Sequence, residues 1–122
     1  MVAISLLVQA SNKEIVPWRE DFAAAKIEAA TQHKPMLLYF TAVWCSPCDY
    51  MKHTTFASNS VNNALAGYVP VKIDIDQNKA LAEQFGAPPI PLFYVIDTAG
   101  RPIKTISGAM EPEEFVNWLN GK

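Results

Sequence analysis

Met36-Leu37-Leu38-Tyr39-Phe40 is a continuous apolar run of strand length, with no polar residue at alternate positions to meet water. A strand of this kind is covered on both faces, which places it in the middle of a sheet with helices above and below. Val69, Val71, Ile73 and Ile75 alternate with Pro70, Lys72 and Asp74 as a second strand does, and Leu92-Phe93-Tyr94-Val95-Ile96 is a third, buried one. Asp97-Thr98-Ala99-Gly100 then turns the chain into Ile103–Ile106, so the last two strands are expected to form an antiparallel hairpin.

Helical signals fill the intervals. Trp18, Phe22, Ala25 and Ala29 recur at helical spacing and predict a first helix broken by His33-Lys34-Pro35. Ser46 to about His53 reads as a helix entered near Pro47, Ser60 caps a short one through Ala66 that stops at Gly67, and Asn78 to about Phe85 ends at Gly86. Pro112 opens a final helix with Glu113 and Glu114 at its positive end, Phe115, Val116 and Leu119 inward, and Gly121 closing it. The resulting order is helix, strand, helix, strand, helix, strand, strand, helix: an α/β chain with a central mixed sheet and helices on both faces.

With 122 residues the chain is expected to form one domain. Its 10 Lys and Arg against 12 Asp and Glu leave no basic surplus to neutralise phosphates, which argues against nucleic acid or an anionic membrane as partner. The apolar run from Val2 to Val8 is far short of the roughly 20 residues that span a bilayer. Val8-Gln9-Ala10 has small residues three and one before a signal-peptidase cut, although no Lys or Arg precedes the run. Residues 1–10 therefore read either as a signal-peptide remnant or as an N-terminal strand, with residues 11–122 as the domain proper.

The two cysteines, Cys45 and Cys48, lie three positions apart at the strand-to-helix junction. A thiol attacks a disulfide only as thiolate, and a free cysteine with a pKa of about 8.5 is only a few per cent ionised at neutral pH. At the first turn of a helix, unpaired N–H groups and the helix dipole stabilise the anion. Cys45 is thus the expected nucleophile. Cys48, one turn on, is the less accessible resolving thiol, placed to close a small disulfide ring. Pro47 sits where its missing N–H costs little and stiffens the dithiol turn. Trp44 is either an aromatic lip of a docking surface or a packing residue, and His53 reads as a solvated helical residue. The rival reading, half of a zinc site, needs two more ligands, and there is no third cysteine and no suitable pairing of His33 with His53. A purely structural bridge across so short a loop would constrain the unfolded chain little.

From about Met36 to Trp118 these residues resemble the thioredoxin superfamily. The similarity covers Trp44-Cys45-Ser46-Pro47-Cys48 after a strand, Val71-Lys72-Ile73-Asp74-Ile75-Asp76-Gln77-Asn78, Ile90-Pro91, and Ser107-Gly108-Ala109 before the last helix. It implies a thiol-disulfide oxidoreductase without a bound cofactor or metal, exchanging electrons with protein disulfides and with an upstream thiol-disulfide partner. Pro91 would be the cis-proline beside the dithiol, Ile90 would offer its backbone to an extended substrate segment, and Gly108 would leave room for that segment.

Where the family usually carries a buried Asp that assists proton transfer, this chain has Tyr39, which ionises near pH 10 and is no base near neutrality. Lys72, matching a lysine beside that Asp, is expected to have lost its partner and to point to solvent. Cys48 then needs water, Asp49 or another carboxylate as proton acceptor, and restoring Asp at position 39 is expected to speed resolution. His53 replaces a kinking proline. The stretch Cys48–Phe56 looks more like small secreted thioredoxin-like proteins and the C-terminal domain of the electron conduit DsbD. The resemblance implies a periplasmic or secreted bacterial reductant, with a cytoplasmic location as alternative, and nothing in the sequence demands more than a monomer. A disulfide oxidant or isomerase, or a non-catalytic binding module, would carry the same fold.

Overall fold

The computed structural model describes residues 13–122; the expectations for residues 1–10 lie outside them. Four strands, β1 (Met36–Thr41), β2 (Val69–Asp74), β3 (Leu92–Ile96) and β4 (Pro102–Ser107), form one sheet in the order β2-β1-β3-β4. β1 pairs parallel with β2 and antiparallel with β3, and β3 pairs antiparallel with β4. The apolar run of β1 is therefore central, as its composition demands: its first five residues are all buried. Five α-helices connect and cover the strands: α1 (Phe22–Gln32), α2 (Ser46–His53), α3 (Asn59–Ala64), α4 (Lys79–Phe85) and α5 (Pro112–Leu119).

Strand alternation sorts the core into two layers. Tyr39 stands opposite Lys72 on one side and Phe93 on the other, so these three share a face. There Tyr39 stacks on Phe93 at 5.0 Å between centroids, Phe56 packs edge-on against Phe115 at 5.6 Å, and Trp18 lies 5.2 Å from Tyr39. Phe40 points to the opposite face, where it meets Phe85 and Tyr94, and Phe85 in turn meets Phe22 of α1. Buried Ala25 and Ala29 let α1 approach the sheet closely.

Two boundaries differ from the sequence reading. Trp18 is not on α1. Asp21 is the N-cap, its carboxylate accepting the Ala24 N–H at 3.0 Å, and the preceding segment is extended. Arg19 attaches it to the outer edge of β2, donating to the Pro70 carbonyl and accepting from the Lys72 N–H, both at 2.8 Å. Trp18 mimics helical spacing because it packs into the same core from outside the helix. Ser60 is not a cap either: α3 starts at Asn59 after Ser58, and the two serine hydroxyls bond each other at 2.8 Å.

Candidate active site

β1 ends at Thr41, and the chain turns through Ala42-Val43-Trp44 into α2. Cys45 is the N-cap of that helix, with extended backbone (φ −85°, ψ 104°), and its Sγ accepts the N–H of Cys48 at 3.2 Å. The cysteine thus occupies the place of a capping Ser or Asp, where a sulfur anion would be met by an otherwise unpaired donor and by the positive end of the helix. Pro47 lies in the first turn, where no intrahelical donor is required. Cys45 and Cys48 are joined in a disulfide with their Cα atoms 5.2 Å apart. Burial does not separate them, at 4% and 3% exposure; the difference expected in accessibility is instead a difference of helix position, cap against first turn.

The register gathers the other expected site residues at the same end of the sheet. Phe40 pairs with Leu92, and Leu92 with Ser107, so the chain just beyond β1, just before β3 and just after β4 lies side by side. These three places hold Trp44-Cys45, Ile90-Pro91 and Gly108. The Ile90–Pro91 bond is cis, Pro91 is buried, and its carbonyl accepts the Gly108 N–H at 2.9 Å. Gly108 has φ 100°, a conformation that favours glycine. Val43 and Trp44 project outward, 91% and 62% exposed, and the Trp44 indole N–H donates to Asp76 at 2.8 Å. Asp76 had no assigned role in the sequence, although it falls within the family-like segment.

Behind the dithiol is an open cleft of about 420 Å³ whose lining includes Cys45, Cys48, Tyr39, Asp49, Lys72 and Glu14. Lys72 does not point freely into solvent, as expected, but lies 2.7 Å from Glu14 Oε1 and 5.8 Å from the Trp18 ring centroid. The reason is register: opposite Tyr39, Lys72 emerges on the face that the segment from Glu14 to Trp18 covers. Glu14 accepts a second bond from Trp18 Nε1 at 2.8 Å. Sequence reading missed Glu14 because the segment carrying it has no periodicity and its partner is far along the chain. Tyr39 is held neutral, its hydroxyl pushed up to about 12 chiefly by burial. Its ring packs against Trp18, Phe56 and Phe93, and the residue also lines the cleft that Lys72 and Asp49 share with the dithiol. His53 is exposed, its Nδ1 3.0 Å from the Asp49 carbonyl oxygen.

Residues 22–121 match the family model described as thioredoxin-like domain. The chain belongs to the thioredoxin-like family. It is 34% identical over 87 residues to a thioredoxin of Haemophilus influenzae, covering 70% of this chain and 78% of that one. It is 30% identical over 97 residues to the thiol:disulfide interchange protein DsbD of Actinobacillus pleuropneumoniae, covering 75% of this chain but only 17% of the relative. The oxidised C-terminal domain of Neisseria meningitidis DsbD superposes with a TM-score of 0.70 at 25% identity, over 85% of this chain and 97% of that one. Fold, adjacent dithiol and relatives agree on a thioredoxin-like domain whose two cysteines are joined at the start of α2.

Proposed function

We propose that this thioredoxin-like domain is a reductant of protein disulfides, acting as a monomer with Cys45 as nucleophile and Cys48 as resolving thiol. The observation that carries the reading is Cys45 at the N-cap of α2 with the Cys48 N–H directed at its sulfur. The Cys45 thiolate attacks one sulfur of the substrate disulfide, a Cys45–substrate S–S bond forms, and the other substrate sulfur leaves as a thiolate that takes up a proton. Cys48, deprotonated, attacks Cys45 Sγ and releases the second substrate thiolate. Two electrons have then passed to the substrate, and the Cys45–Cys48 disulfide awaits an upstream dithiol. Trp44, Ile90, Pro91 and Gly108 form the docking edge, where an extended substrate segment adds to the backbone before β3.

Pro47 in the dithiol turn and the thioredoxin relatives favour the reducing direction. The DsbD relatives favour a place outside the bacterial cytoplasm and a partner that supplies electrons by thiol exchange; among the described residues no helix is long and apolar enough to cross a membrane. Equilibration in defined thiol-disulfide buffers tests the direction. A potential near thioredoxin's value of about −270 mV supports it, and one above roughly −200 mV makes the domain an oxidant or isomerase. Cys45→Ser is expected to abolish exchange and Cys48→Ser to accumulate a mixed disulfide. Exchange that survives Cys45→Ser would reject the redox reading.

A further inference from the structure

Resolution requires Cys48 to lose a proton, and Cys48 is buried in the first turn of α2, 3% exposed. Four carboxylates line the cleft onto which both cysteines open: Glu14, Glu20, Asp49 and Asp74. Glu20 is exposed. The Asp49 side chain is 71% exposed and turned toward His53, 3.8 Å away. Asp74 Oδ1 is occupied by the N–H groups of Asp76 and Gln77, closing the turn after β2. Glu14 also lines the cleft, and its side chain is 15% exposed, with one oxygen 2.7 Å from Lys72 Nζ and the other 2.8 Å from Trp18 Nε1, so its carboxylate is held by two side-chain donors. Tyr39, whose hydroxyl burial pushes up to about 12, keeps its own proton at any pH near neutrality.

We infer that Glu14 is the acceptor for the Cys48 proton, reached through water in the cleft, and that Lys72 and Trp18 are positioning residues that hold its carboxylate there. This rests on the reading of Cys48 as the resolving thiol. A space of about 420 Å³ is ample for a chain of waters. As Cys48 Sγ attacks, its bond to Cys45 Sγ forms. The bond from Cys45 to the substrate sulfur breaks, and that sulfur keeps the electron pair. The Cys48 proton passes by way of water to Glu14, which then releases it to solvent or to the departing thiolate. Glu14 precedes residues 22–121, the span that matches the family model.

Stopped-flow reaction of the fully reduced protein with an aromatic disulfide that liberates a coloured thiolate separates the steps. The first burst reports attack by Cys45 and the second resolution by Cys48. In Glu14→Gln the second burst is expected to slow roughly tenfold or more near neutral pH while the first stays within about twofold. The sign is diagnostic. A carboxylate acting only through its charge would disfavour a nearby thiolate, so its removal would speed the second burst. An unchanged or faster second burst therefore overturns the inference and leaves the dithiol reading intact, whereas absence of both bursts in the unmodified protein overturns the reading beneath it. Glu14→Asp is expected to recover part of the rate. Lys72→Met removes one of the two groups that hold the Glu14 carboxylate and serves where Glu14→Gln fails to fold. It is expected to slow the second burst while the first stays within about twofold, because the carboxylate loses a group that holds it in the cleft; an unchanged second burst overturns the inference.

Discussion

Tyr39 joins the aromatic core to the dithiol cleft, and its hydroxyl makes a pH-dependent contribution to stability. Burial favours the neutral phenol, so its folded pKa of about 12 stands above the ordinary 10.0. The sign follows from linkage: this contribution is complete below pH 10 and is lost as pH rises from 10 toward 12, because the unfolded chain releases the proton first. The interval corresponds to about 2 to 3 kcal/mol. Burial also raises Tyr68, and the bond to Glu111 raises Tyr50, so the comparison must be with Tyr39→Phe. Denaturant melts between pH 9 and pH 11.5 are expected to show a shallower alkaline loss in that variant, and parallel curves would reject the assignment to Tyr39. At this scale the sequence was informative where a residue's neighbours are local. Cys45, Pro47 and Cys48 are set by one helical turn. Lys72 was misplaced because its partner, Glu14, comes from an unpatterned segment brought over the sheet by the backbone pairing of Arg19 with β2.

Helix ends divide the same way. α2 and α5 have the bounds expected from Pro47 and Pro112, since a proline in the first turn marks a start by its own covalent geometry. The apolar spacing starts α1 one turn too early because Trp18 continues it, although the carboxylate that caps the helix is Asp21. Side-chain capping is worth about 1 kcal/mol, and α1 covers the face of the sheet that carries Phe40. Asp21→Ala is accordingly expected to lower unfolding free energy by about 1 kcal/mol with an unchanged denaturant slope. The reduction potential should stay where it was, since α1 contributes nothing to the dithiol turn. A shift in potential would mean that α1 transmits strain to the far end of β1.

For the molecule as a whole, redox chemistry and folding are one thermodynamic cycle. The difference in stability between the oxidised and reduced folds equals the difference in potential between the folded and unfolded dithiol, at about 1.4 kcal/mol for each 30 mV. Two features of this fold pull in opposite directions. The N-cap position of Cys45 favours a thiolate and hence the reduced form, as in DsbA, whose reduced state is the stabilised one. The stiff Pro47 turn, which already holds the two Cα atoms 5.2 Å apart, favours the closed ring. The proposed reducing role requires the second effect to win, so the oxidised protein should unfold at higher denaturant than the reduced protein. The central strand and hairpin, legible as apolar runs, fix where the dithiol stands but not this balance, which is a small difference between two local terms. Paired melts with and without excess dithiol, read at equal slope, measure it directly. A more stable reduced form would make this fold an electron acceptor and would reverse the direction of flow through Cys45.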